Sequence, residues 1–210
     1  MKSLSQHVKE EFNFRINRDS AKITYNYSPK TKDELTQIIK DHYDNKVYDL
    51  NDIDVSQITD FSEIFVMDEK TGNPQFDVSK WNVSNGKTFT KMFYNCDNFN
   101  GDLSKWDVSN AVDLSYIFYS CEEFNCDLSR WDVSNCSDFA GIFCKCTNFN
   151  CDLSQWDVSK GKHFSNMFCR CTNFNSDLSN WDVSNGINFA SMFYKCPIKQ
   201  EFKPTYHPGM

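Results

Sequence analysis

The chain has 210 residues, a net charge of -7, a hydrophobic fraction of 40% and 19 phenylalanines. That composition supports a packed core, and an acidic balance with no segment concentrating Lys and Arg argues against nucleic acid or an anionic membrane surface as partner. No apolar run approaches the roughly 18–20 residues of a membrane-spanning helix, so no membrane insertion is expected.

The start, MKSLSQHVKEEFNF, shows neither an apolar h-region nor a small-residue cleavage site. With many cysteines and no visible leader, the chain reads as cytoplasmic and kept reduced. Residues 1–52 form the expected N-terminal cap. Phe12, Phe14 and Ile16, then Ile23, Tyr25 and Tyr27, alternate with polar residues around the turn Asn17-Arg18-Asp19-Ser20, which predicts a hairpin over 12–27. Thr31 and Glu34 make a capping box, and Leu35, Ile38, Ile39 and His42 follow at helical spacing, which predicts an amphipathic helix over 32–43. His42 on its inner face reads as a packed histidine rather than a ligand.

Residues 53–196 read as about six repeats of 25 residues. The first starts at Ile53 and carries three extra residues within the loop Asp68–Pro74. After it Trp81, Trp106, Trp131, Trp156 and Trp181, the only tryptophans, recur at a fixed interval of 25. Within a repeat, Trp106 and Val108 alternate with Asp107 and Ser109, which predicts a short strand. Leu114, Ile117, Phe118 and Cys121 then fall at i, i+3, i+4 and i+7, which predicts a short helix. Phe89-Met92-Phe93-Cys96, Phe139-Ile142-Phe143-Cys146 and their later equivalents repeat that stripe. Thr88, Asp113, Asp138 and Asn188 precede it as N-cap types, and His163 holds the same place. The expected fold is an α/β repeat solenoid, leucine-rich-repeat-like, with short parallel strands on a concave side and short helices on the other. The five tryptophans form its structural core ladder. Residues 197–210, opened by Pro197, form a C-terminal capping tail with Ile198 and Phe202 inward.

The words FNGDLSKWDVSN, FNCDLSRWDVSN and FNSDLSNWDVSN, each followed by an F-x-x-MF-x-x-C type stripe, resemble the BspA-type leucine-rich-repeat surface proteins of bacteria. The likeness is greatest to their 25-residue subtype, the Mycoplasma lipoprotein-associated repeats, and it covers residues 53–196. The resemblance implies a bacterial surface protein used for adhesion or protein–protein contact, without enzyme activity. It therefore places the chain at the cell surface, against the cytoplasmic reading of its start.

Ten cysteines invite chemistry. Cys96, Cys121, Cys146, Cys171 and Cys196 share one apolar position and read as small buried thiols. Disulfides within that column are disfavoured, because helices pack about 10 Å apart and a bridge needs Cα atoms within about 7 Å. Cys144-x-Cys146 and Cys169-x-Cys171 suggest zinc, but residues i and i+2 of a helix diverge. Cys126 and Cys151, nearer the strand side, are the best candidates for an oxidised pair. Two carboxylate columns, Asp102, Asp127, Asp152, Asp177 and Asp107, Asp132, Asp157, Asp182, read either as calcium sites between repeats or as Asp-x-Ser turns, the second preferred. Asn100, Asn125, Asn150 and Asn175 read as a backbone-bonding ladder. His7, His42, His163 and His207 are scattered, and no catalytic motif or cofactor signature appears.

The sequence thus predicts a monomeric, non-enzymatic interaction or adhesion module that needs no cofactor. Its expected binding face is formed by Lys105, Asp107, Arg130, Asp132, Gln155, Asp157, Asn180 and Asp182, because the residue before each Trp varies while its surroundings do not. A protein or glycan is the expected ligand. The alternative is a metal-binding or redox-sensitive structural protein, with zinc at the Cys-x-Cys pairs or calcium at the Asp columns.

Overall fold

The computed structural model describes residues 25–65 and 75–205. Most of the expected hairpin over 12–27 and the loop Asp68–Pro74 lie outside the described residues. Tyr27 itself is joined to Ile53 by a parallel bridge.

Among the described residues there is one α-helix, α1, Lys32–Asp44, followed only by a 3-10 turn at Gln200–Phe202. Thr31 caps α1 by accepting the Glu34 N–H at 3.2 Å, while the Glu34 carboxylate reaches back to the Lys30 N–H rather than to that of Thr31. Leu35 and Ile39 are buried against the first repeat. His42 packs edge-on to Tyr27, with its ring nitrogens bonded to Ile38 O and Asp52 Oδ1.

The expected α/β leucine-rich-repeat solenoid does not form. Among the described residues the repeats contain isolated parallel bridges instead of strands, there is no sheet, and turns stand where short helices were expected. Their hydrogen bonds give the reason. In residues 89–96 the N–H groups of Met92, Tyr94 and Cys96 close turns onto Phe89, Lys91 and Phe93. Those of Phe89, Lys91, Phe93 and Asn95 cross instead to the carbonyls of Asp113, Ser115, Ile117 and Tyr119 in the next repeat. The same alternation carries Leu114, Tyr116, Phe118 and Ser120 to residues 138, 140, 142 and 144, and so on to residue 194. An α-helix needs every one of those amides for its own i−4 carbonyl. Here half of them join neighbours, and a seven- or eight-residue helix has too little stability of its own to resist.

The turns impose a second constraint. Lys91 and Asn95, Tyr116 and Ser120, Gly141 and Lys145, Asn166 and Arg170, and Ser191 and Lys195 all have positive φ, between 54° and 65°. Met92 N–H to Phe89 O and Cys96 N–H to Phe93 O therefore close turns of type II, whose third residue needs that conformation. The inward spacing of Phe89, Met92, Phe93 and Cys96 suits this tandem of turns as well as it suits a helix, which is why the pattern alone misleads.

The columns expected from the repeat do stack. The residues expected as helix caps form the bridges, running Asp60–Thr88–Asp113–Asp138–His163–Asn188. Inside, Phe93, Phe118, Phe143, Phe168 and Phe193 stack at 5.6–5.9 Å, and Phe99, Phe124, Phe149 and Phe174 at 5.9–6.0 Å. All five tryptophans are buried, and each indole N–H donates to a carbonyl of the preceding repeat, as Trp131 does to Leu103 O at 3.0 Å. The tail closes the last repeat: Ile198 is buried, Leu178 N–H bonds Phe202 O, and Lys199 N–H bonds Asn175 Oδ1. No helix among the described residues is long and apolar enough to cross a membrane.

Candidate functional site

From Trp106 on, each repeat turns its Trp-bearing corner with two Asp-x-Ser units, and in the Trp81 repeat Asn82 takes the place of the second Asp. Asp102 Oδ1 accepts the Ser104 N–H at 3.0 Å and its hydroxyl at 2.6 Å, and Asp107 holds Ser109 in the same way. Ser129, Ser134, Ser154, Ser159, Ser179 and Ser184 donate their N–H groups to Asp127, Asp132, Asp152, Asp157, Asp177 and Asp182 at 2.9–3.0 Å. These are local turns that fix the chain by side-chain-to-backbone bonding. The segment expected as a strand is thus a pair of turns with Leu103, Trp106 and Val108 inward.

Neighbouring Asp residues of a column raise one another's pKa. Hydrogen bonds from the serines outweigh that repulsion and hold Asp102, Asp127, Asp132, Asp152, Asp157, Asp177 and Asp182 below the usual carboxylate range. Lys105 and Arg130 add smaller pulls on Asp102 and Asp127.

All eight residues of the expected binding face, Lys105, Asp107, Arg130, Asp132, Gln155, Asp157, Asn180 and Asp182, are exposed on this corner. They stand on turns, not on a concave strand face, which is a further correction to the sequence reading. The coils are drawn together elsewhere, along the backbone-bonded ladder, where Phe139 and Phe164 stack at 5.3 Å while Trp131 and Trp156 lie 6.4 Å apart. At the corner the links between repeats use side chains, such as Asn135 Nδ2 to Ser109 O at 2.8 Å. From Lys105 and Arg130 to Gln155 and Asn180 the position before Trp loses its cations while the carboxylate columns stay.

The cysteines separate into columns with different duties. Cys96, Cys121, Cys146 and Cys171 are fully buried, and each thiol donates to a Phe carbonyl of the preceding repeat at 2.7–3.2 Å. Burial pushes their pKa values up. Sequence reading missed this bond; its only trace is that Cys never varies in that column while its neighbours do. Cys126 and Cys151, the best candidates for an oxidised pair, are free, and their sulfurs accept the N–H groups of Leu103 and Leu128 at 3.1 Å. Ser176 takes the same place for Leu153. Cys144 and Cys146 diverge, Cys146 into the core and Cys144 toward Cys169. Among the described residues no group of three or more His, Cys, Asp or Glu side chains is placed to hold a metal ion. Asn100, Asn125 and Asn150 accept, through their side-chain oxygens, the N–H groups of the asparagines 25 residues on.

These features define a tandem-repeat protein of turn-built coils with an exposed acidic corner. A family model described as "Mycoplasma protein of unknown function, DUF285" matches residues 33–143 and 127–203, and the chain belongs to that family. A search of curated proteins and a search of solved structures each found no match.

Proposed function

We propose that the protein is a non-enzymatic interaction module whose binding face is the Asp-x-Ser corner. The observation that carries this reading is the pairing of two fixed carboxylate columns with one exposed position that varies, Lys105, Arg130, Gln155 and Asn180, on turns held by Asp-to-Ser hydrogen bonds. A rigid frame with a changing outward residue lowers the ordering cost of binding and leaves specificity to a few side chains. A protein or glycan of complementary charge is the partner class that suits it. The resemblance to Mycoplasma repeat surface proteins supports an adhesive role at a cell surface as part of this proposal.

The test is a charge reversal, Lys105→Glu with Arg130→Glu, in the full chain. Labelled protein is applied to arrays of matrix proteins and glycans, and circular dichroism checks that the fold is kept. Loss of about tenfold or more in binding of any ligand held by the parent chain is expected. Binding unchanged by the reversal rules this corner out as the contact face.

A further inference from the structure

Residues 94, 119, 144, 169 and 194 form one column, occupied by Tyr, Tyr, Cys, Cys and Tyr. Tyr94 and Tyr119 stack in it at 4.7 Å with their planes 5° apart, so consecutive side chains here are direct neighbours. Lys145 N–H, one bond beyond the Cys144 carbonyl carbon, donates to Cys169 O at 2.7 Å, and Ser120 N–H donates to Cys144 O at 2.8 Å. Chains joined this way lie about 4.8 Å apart. That is inside the window of about 4.4–6.8 Å that a disulfide needs between Cα atoms. Packed helices would hold the coils too far apart for a bridge, but this side of the repeats has turns in place of helices.

The other cysteine columns are committed elsewhere. Thiols of the Cys96–Cys171 column are shut in the core on Phe carbonyls, and those of Cys126 and Cys151 aim at Leu backbone N–H groups of the preceding repeat. Cys144 and Cys169, 4% and 8% exposed, instead hold the same position on adjacent coils, close enough that the Cys169 thiol helps raise the Cys144 pKa. We propose that Cys144 and Cys169 are a redox-active dithiol that closes into a disulfide between adjacent coils, taking a low-molecular-weight disulfide as oxidant.

The step balances by thiol–disulfide exchange. The more exposed Cys169 loses its proton to solvent, and its sulfur attacks one sulfur of the small disulfide RSSR. The S–S bond of RSSR breaks, and RS⁻ leaves and is protonated. Cys144 then loses its proton, its sulfur attacks Sγ of Cys169 in the mixed disulfide, and the second RS⁻ leaves. Two thiols of the protein are oxidised, one RSSR is reduced to two RSH, and the two protons end on those thiols. Lys145 and Arg170 flank the pair and favour an anionic thiol compound as RSSR. Burial first, then the neighbouring Cys169 thiol, pushes Cys144 up to about 12, so exchange quickens as pH rises.

Full-length reduced protein is incubated with excess oxidised glutathione under native conditions, alkylated, and digested without reduction for mass spectrometry. Two thiols of the ten are expected to disappear, with a Cys144–Cys169 peptide recovered and Tm raised by roughly 5–10 °C. Cys144→Ser should abolish both changes. A second variant, Cys144→Tyr with Cys169→Tyr, restores the residue found elsewhere in the column, guards against misfolding, and should show neither change. Native protein that keeps all ten thiols, or that links Cys126 to Cys151 instead, overturns the proposal, as does a Cys144–Cys169 link formed only after denaturation.

Discussion

Asp138 and the corner aspartates show how one residue type takes opposite roles by position. Asp138 sits half-buried in the bridge column next to Asp113. Burial first, with repulsion from Asp113 added, raises its pKa despite the Ala140 N–H it accepts at 2.9 Å. A raised carboxylate costs stability while it is charged, and that cost fades as pH falls through its folded value. Asn188 holds the equivalent place and accepts the Ala190 N–H at 3.1 Å without charge. Asp138→Asn should therefore raise stability at pH 7 by about 0.5 kcal/mol, and the advantage should shrink toward zero in melts taken at progressively lower pH. The corner aspartates, depressed by their serines, contribute stability above about pH 4 that is lost as pH falls through their still lower folded values. The parent chain and Asp138→Asn should thus both melt earlier below pH 4, and only the gap between them should close. At the core, Trp131→Ala removes a buried ring and strands Leu103 O, at a cost of about 3–5 kcal/mol by denaturant titration.

The 25-residue coil is where reading the sequence succeeded in part and failed in part. Which residues face inward was legible, because Trp106, Val108, Leu114, Ile117, Phe118 and Cys121 mark the apolar side whatever the backbone does. The kind of backbone was not. An i, i+3, i+4, i+7 stripe is shared by a helix and by tandem type II turns, and only the destination of alternate N–H groups distinguishes them. The Asp-x-Ser words made the turns of the candidate corner legible, but the alternation of Trp106 and Val108 with Asp107 and Ser109 also suggested a strand, and the candidate face was placed on a strand side that does not form. The Cys144–Cys169 pairing was hidden by the helix assumption. One signal favoured turns: at the first of the two left-handed positions of each coil the chain places Lys91, Tyr116, Gly141, Asn166 and Ser191, a mixture poor in strong helix formers, although the second, with Lys145, Arg170 and Lys195, does not share it. Gly141 is needed there for a second reason. A Cβ built on it would stand 2.5 Å from Cδ1 and Cε1 of Tyr116 on the preceding coil. Gly141→Ala should cost about 2 kcal/mol through the left-handed φ and the displaced ring together. Combining it with Tyr116→Ala should cost less than the two single changes summed, because the clash is then gone. Additive losses in thermal melts would show that Tyr116 does not crowd this position.

Across the whole molecule each repeat contacts its neighbours through the same set of bonds, so stability is set by the number of coils and by keeping them in register. Within the regular array the main links recur at fixed offsets: alternate turn amides bond 24 residues on, asparagine side-chain oxygens 25, and the indoles of Trp106 to Trp181 and thiols of Cys121 to Cys171 reach back 28. Removing one full period leaves all of these offsets satisfied among the survivors. Excision of residues 151–175 joins Asn150 to Ser176 and sets Phe143 under Phe193, Cys196 beside Phe149 and Lys199 beside Asn150. Gly141 stays next to Tyr116, so that crowded contact between coils is untouched. The shortened chain should fold cooperatively with the parent's circular dichroism per residue. It should lose about 2 kcal/mol, or about 4–8 °C in Tm, with a denaturant m-value reduced in step with the surface no longer buried. Excision of residues 151–170 removes less of the chain but displaces every later column by five positions. Phe and Trp would then face solvent while Asp and Ser face the core, and that variant should be unfolded or aggregated on size-exclusion chromatography. If the 20-residue deletion folds as well as the 25-residue one, the links between coils do not govern stability, and the columns are a consequence of the fold rather than its cause.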